Sequence, residues 1–439
     1  MSQGNAAHAF TKPPSQQRTP RLWRTWGSNK RQKKRILQGQ ATTWQPRSPK
    51  PVHKRKRKRT VKAPIPAMSS LVDSFSELTD PRINRQRRHR FIDILVIAVL
   101  AVICNADTWK DIHIWGSSNY RWLKAFLELP NGIPSRDTLR RTISRVDPDQ
   151  FQKAFLRWLS CINKRIKGVV AIDGKTLRRS GRGDKGPLHI VSAWACEQHL
   201  TLGQRTVDGK SNEITAIPEL LATLILKGTI VTIDAMGCQK NIAAQIIAAN
   251  ADYCLAVKDN QPTLAEDLRK SFTAAMVQGG AFGTHEQYDT HEKGHGRTDA
   301  RYYYTMPVPD TLRTAHDWEG LKSIGMTITY RHDDKDSDGE VRYYISSLDS
   351  NAKQFATAVR SHWGIENSLH WVMDVTFRED ESRISKDHGG ENVSWLRRVA
   401  ISLIKLDTTI KDSIRAKRIR AGYDVKFLEQ MLACISEQI

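Results

Sequence analysis

From residue 68 the apolar positions follow a helical period. Leu71, Phe75 and Leu78 fall at three- and four-residue spacing, and residues 91–106 are apolar enough to predict a buried helix. Trp109, Ile112, Trp115, Trp122 and Phe126 extend the pattern until Pro130, Gly132 and Pro134 break it. Ser135 or Asp137 can then cap a helix carrying Leu139 and Ile143. The period changes at Gly168. Residues 168–173 (GVVAID), 188–196 (LHIVSAWAC) and 200–207 (LTLGQRTV) predict strands, and a helix starting between Ser211 and Pro218 runs to about Leu226. A strand at 229–234 (TIVTID), a helix at 241–250 with Ile242, Ile246 and Ile247 inward, and a strand at 252–257 (DYCLAV) follow. Three strands, a helix, a strand, a helix and a strand make a mixed α/β order, with hairpins first and parallel crossovers later. Residues 258–343 are irregular and strand-rich, with strands expected at 300–306, 321–331 and 340–347. A helix returns near Gln354 and runs through Trp363, Leu369 and Val372 towards Phe377, and another spans about 393–406.

Composition narrows the picture. A chain of 439 residues predicts two or three domains. The net charge of +23 is concentrated at one end: 18 of the 69 Lys and Arg, and none of the 46 Asp and Glu, fall in residues 1–67, so the remainder carries only +5. Residues 1–67 read as a disordered basic extension, densest at 54–59 (KRKRKR). Two readings of it stand side by side: an arm that binds nucleic acid by counterion release, or a segment that is not a designed part of the protein, with a start at Met68. The longest apolar run, 94–104, is half of the roughly 20 residues a membrane span needs. No secretory pattern is present, and the six cysteines form no CxxC pair, which suits reduced thiols in a cytoplasmic protein.

The candidate chemistry sits at two apolar runs that end in carboxylates. Asp173 lies in Ala-Ile-Asp-Gly and Asp234 in Thr-Ile-Asp-Ala. Sites in open α/β sheets form beyond the carboxyl ends of strands, and two carboxylates there call for a positive partner. Oxygen donors select hard cations such as Mg²⁺ or Mn²⁺. The plain alternative is that each Asp caps the turn after its strand. Glu366, in HWGIENSLHW at 362–371, is the candidate third ligand, with His362 and His370 four residues either side on the same face. Its rivals Asp374, Glu379 and Asp380 read as solvated near a helix end. Lys258, Asn260 and Gln261 follow a strand end and suit substrate contact. The segment 291–297 (HEKGHGR) reads either as a phosphate contact or as a polar turn, and Arg136, Arg140 and Arg141 either as a groove-binding helix face or as a solvated one. GRGDKG at 181–186 satisfies GxGxxG but lies between two strands, which predicts a mobile hairpin loop.

Ordered along the chain, LTDPR at 78–82, ILVIAVLAVICNADTW at 94–109, LPNGIPSRDTLRR at 129–141, AIDGKTLR at 171–178, KSNEITAIPELL at 210–221, IVTIDAMGCQKNIA at 230–243, DYCLAVKDNQPTL at 252–264, HGR at 295–297, YYISSL at 343–348 and HWGIENSLHWVMDVTFRED at 362–380 carry a resemblance. The chain resembles DDE transposases of bacterial insertion sequences, in particular the H-repeat-associated type, from about Leu71 to Leu406. The resemblance implies a ribonuclease-H-like α/β catalytic core over 166–406 with a β-rich insertion at about 259–343. It implies a helical DNA-end-binding domain over 68–165, leaving 407–439 as a helical tail. It carries over the triad as Asp173, Asp234 and Glu366, holding two Mg²⁺ ions (Mn²⁺ substituting) roughly 3.5–4 Å apart. Lys175, Lys258 and Arg297, with Arg136 and Arg140, are then expected to contact DNA. The expected partners are double-stranded transposon ends and target DNA, with at least a dimer on DNA and no membrane. Two departures stand out: Asn105 where Gly is usual, and Val359, His362 and Met373 where the wider insertion-sequence group has Tyr, Arg and Lys. Residues 1–67 have no counterpart in the family. The rival readings are a metal-dependent nuclease without strand transfer, a catalytically inactive DNA-binding remnant, and a basic RNA-associated protein driven by residues 1–67.

Overall fold

The computed structural model describes residues 66–162, 166–181, 186–207, 213–277, 286–294, 297–332 and 339–436. The basic extension up to residue 65, the GxGxxG-like loop at 182–185, His295 and the side chains of Met68 and Arg297 lie outside the described residues.

The first helices are α1 (Pro66–Ser76), α2 (Phe91–Ile103), α3 (Trp109–Ser118), α4 (Tyr120–Leu123), α5 (Arg136–Ile143) and α6 (Pro148–Ile162). The expected boundary at 67/68 thus falls inside the first turn of α1. Helix α2 is apolar on every side and accordingly buried from Asp93 to Ile103. Its one carboxylate, Asp93, accepts from the Leu129 amide at 2.9 Å. Thr108 and Asp111 form a reciprocal cap on α3, and the Ser135 hydroxyl caps α5.

The sheet follows: β1 (Val169–Thr176), β2 (His189–Ala195), β3 (Leu200–Val207), α7 (Glu213–Leu221), β4 (Ile230–Ile233), α8 (Lys240–Ala248), β5 (Asp252–Val257), α9 (Pro262–Val277), β6 (Glu286–Gly294), β7 (Arg297–Pro307), β8 (Ser323–His332) and β9 (Glu340–Ser346). The strand order is β3-β2-β1-β4-β5-β9-β8-β7-β6. β1, β4 and β5 run parallel, as the apolar runs and the crossover helices α7 and α8 require, and every other neighbouring pair is antiparallel. The inserted strands therefore prolong the central sheet.

The insertion also departs from its strand-rich expectation. It opens with the sixteen-residue α9, whose Leu264, Leu268 and Phe272 are buried at four-residue spacing behind Pro262 at the first helical position. Strand β6 was not expected either. It is polar and lies on the sheet's edge, where periodicity carries no burial signal.

Helix α10 (Ala352–Ile365) packs on β1, passes through a π-helical turn at Glu366–His370 and continues as α11 (Trp371–Val375). Then come α12 (Gly389–Leu406), α13 (Ile414–Tyr423) and α14 (Val425–Ser436). α12 is buried along almost its whole length and packs against α2, α6, α13 and α14 as well as β3. One apolar cluster accordingly runs from Leu71 through the sheet to Leu432. The helices before residue 165 share this core with the rest of the chain. No described helix is long and apolar enough to cross a membrane.

Candidate active site

In the parallel pair β1 and β4, Ile172 is in register with Ile233, so Asp173 and Asp234 are the next residues of adjacent strands. β1 runs three residues beyond Asp173, whereas β4 stops at Ile233. Asp234 then caps a short 3-10 turn, its Oδ1 accepting from the amides of Met236 (3.1 Å) and Gly237 (3.4 Å). Asp234 thus caps the turn and also lines the same cavity as Asp173.

That cavity, about 610 Å³, is lined among others by Asp173, Asp234, Lys258, Arg269, Arg342, His362, Trp363 and Glu366. These side chains arrive from six parts of the chain. β1 and the β4 turn supply the acids, the loop after β5 Lys258, α9 Arg269, β9 Arg342, and α10 with its π turn the remainder. Arg342 stacks its guanidinium 5.0 Å from the Trp363 ring centre, and Glu366, exposed, opens the π turn. Arg269 and Arg342 had no signal in sequence: the helix that carries Arg269 was unexpected, and nothing in the strand pattern marked Arg342.

Two histidines brace the acids. His370 Nδ1 lies 3.4 Å from Asp173 Oδ2, and His362 Nδ1 lies 3.1 Å from Thr232 Oγ1 on β4. Burial opposes the Asp173 charge, but the hydrogen bond and field of His370, with His362 behind it, outweigh burial and hold this carboxyl below the usual range. Asp234 goes the other way: burial first, then the negative charges of Asp173 and Glu213, push it up. Burial keeps the His362 imidazole below its usual range although both aspartates pull it upward.

The other expected residues divide. Lys175 does not open to the cavity. Its ammonium is gripped by Asp374 and lies 3.2 Å from Glu379 and 3.8 Å from Asp380. Glu379 is not solvated either: it is buried, and beyond Lys175 it meets Arg398 at 3.3 Å and accepts from Ser394 at 2.7 Å. These cations hold its carboxyl down to about 2 although burial opposes the charge. Arg136 and Arg140 stand on α5 away from the cavity lining, both beside Asp137, at 3.8 and 3.5 Å. The backbone of Arg297 opens β7 opposite Gly294, and residues 295–296 between them lie outside the described residues.

A mixed α/β sheet thus sets two acids at adjacent strand ends, facing a cavity rimmed by arginine and lysine. The sequence matches the family profile described as "Transposase DDE domain" over residues 164–403 and one described as "DDE_Tnp_1-associated" over 72–159. The chain belongs to the DDE-domain transposase family. It is 40% identical over 380 residues to "Putative transposase YncI" of Escherichia coli O157:H7, covering 84% of this chain and 96% of that protein. It is 38% identical over 374 residues to "H repeat-associated putative transposase YhhI" of E. coli K12, covering 83% and 98%. A piggyBac transposase synaptic complex with hairpin DNA matches over 86% of this chain and 78% of that one, at 11% identity and a TM-score of 0.41, too low a likeness to argue from.

The family implies a divalent cation. Asp173 and Asp234 fit one, as hard oxygen donors with unbalanced negative charge expressed in the raised Asp234. Glu366 shares the cavity, but among the described residues no three His, Cys, Asp or Glu side chains are gathered closely enough to hold an ion together.

Proposed function

We propose that this transposase cleaves DNA at transposon ends and joins the freed 3′ ends to target DNA, on a ribonuclease-H-like core, with Asp173, Asp234 and Glu366 as its acids. The observation that carries the reading is the juxtaposition of Asp173 and Asp234 at adjacent parallel strand ends, with Glu366 lining the same cavity. Asp173 and Asp234 would hold Mg²⁺ or Mn²⁺, and Glu366 would complete the donor set for a pair of ions. A cation bound there supplies charge neutralisation at phosphate and lowers the pKa of bound water.

The remaining roles belong to the chain's own groups. Lys258, Arg269 and Arg342 face the cavity and offset phosphate charge while a water, and then the 3′-hydroxyl, displaces in line. His370 and His362 orient the aspartate pair, and Trp363 with Arg342 braces α10 beside Glu366. No covalent protein–DNA intermediate is needed. Cutting two ends together calls for at least two copies on the DNA.

The test uses the full chain, Mg²⁺ and labelled duplexes carrying the DNA that flanks this gene. Wild type is expected to cut and to yield joined products. Asp234→Asn is expected to lose both while still retarding the duplex in a gel. Cutting without joining would mean a nuclease, and binding without cutting by wild type an inactive remnant.

A further inference from the structure

Behind the paired aspartates lies a further acid that none of the roles above uses. Glu213, the first residue of α7, is 3% exposed, and its Oε1 accepts from His189 Nε2 at 2.5 Å. His189, equally buried, lies with its Nδ1 2.8 Å from the hydroxyl of Thr176, its partner across the β1–β2 pair. Gly174, the residue after Asp173, has no Cβ because the Glu213 carboxylate and the His189 ring fill that space. On its other side α7 packs on the turn that Asp234 caps, with Ile217 Cδ1 3.1 Å from where a Cβ of Gly237 would sit. A buried carboxylate is thus packed at Gly174, the residue after Asp173, on a helix that also packs on the Asp234 turn, and its charge is felt at Asp234.

We propose that Glu213, fixed by His189, is a positioning residue of the cation site. It sets the strand ends that present Asp173 and Asp234, and it adds negative charge that a divalent ion needs beyond two aspartates. The proposal rests on the cation reading given above. Mutating groups in this outer position costs about 10–100-fold in metal affinity.

The experiment is Mn²⁺ binding to the full chain without DNA, followed by loss of the free-ion EPR signal, with the thermal midpoint measured beside it. Glu213→Gln keeps the shape and still accepts from His189. It is expected to weaken Mn²⁺ binding about 10-fold or more with a nearly unchanged midpoint. If Glu213→Gln does not fold, Gly174→Ala serves instead, because the added methyl displaces the Glu213 carboxylate. Affinity within twofold of wild type in the folded variant, while Asp234→Asn abolishes binding, would overturn the role of Glu213 and leave the cation reading standing. A lowered midpoint with unchanged affinity would show a strut only and overturn it equally. Unchanged affinity in Asp234→Asn would sink the cation reading itself.

Discussion

Asp173 and Asp234 began as two similar strand-end acids, and their surroundings divide them. His370 and His362 hold Asp173 down, while burial and two neighbouring carboxylates push Asp234 up. Protons therefore compete with a cation at Asp234 before they do at Asp173. Mn²⁺ affinity is expected to be flat at alkaline pH and to fall as the pH drops through the raised Asp234 pKa, at a higher pH than an ordinary aspartate would give. Titration calorimetry across pH checks this, and a fall starting only near the usual aspartate pKa would contradict it. The raised pKa also means that a charged Asp234 costs stability, so Asp234→Asn is expected to unfold at neutral pH no earlier than wild type. Asn105 is a second residue whose setting explains it. Its φ of +68° is the left-handed region, where Gly is easiest and Asn tolerable, so the departure from the family's Gly costs little. Asn105→Val is expected to lose about 1–2 kcal/mol in chemical denaturation.

At the scale of elements, the helix that carries Glu366 is held on both sides of that residue, on the N-terminal side by His362 against Thr232 of β4. Its C-terminal side is tied to β1 through Lys175, two residues beyond Asp173, and to α12 through Glu379 and Arg398, whose Nη2 reaches Ser192 of β2 at 3.1 Å. Between the tethers lies the π turn that begins at Glu366, a local widening that re-aims side chains and often marks functional positions. Glu379→Ala leaves Lys175 and Arg398 buried without their shared partner and is expected to destabilise by about 3–5 kcal/mol. The sign with pH follows from the lowered pKa. The Glu379 contribution is full above the ordinary glutamate range and is lost as the pH falls towards about 2. Acid unfolding of wild type against Glu379→Gln measures it. Elements with strong periodicity were legible in the sequence: β3 and β5 match their expected limits, and α2 its buried character. Helix α9 could have been read from Leu264, Leu268 and Phe272, but the strand-rich surroundings masked its period. The solvated reading of Glu379 failed because its partners lie as far away as Lys175 and Arg398, beyond any local pattern.

The whole molecule places the site more completely than its chain order suggests. The cavity collects side chains from β1, the β4 turn, the β5 loop, α9, β9 and α10, spread over some two hundred residues. The two acid-terminated runs were visible because an aspartate closing an apolar strand is a local signal. The cavity's arginines were not, because only the folding of α9 and β9 onto the same end of the sheet brings them there. The N-terminal helices share one core with α12–α14, so the part expected to bind DNA ends is packed on the part expected to cut them. One measurement tests the three-acid site most directly: a plasmid carrying this gene's flanking DNA, incubated with Mg²⁺ and the full chain, wild type beside Glu366→Gln, with every cut position mapped. Cuts by wild type at a pair of inverted repeats, absent with Glu366→Gln while both proteins still bind the plasmid, are the expected result. Cuts that persist in Glu366→Gln would contradict the three-acid site.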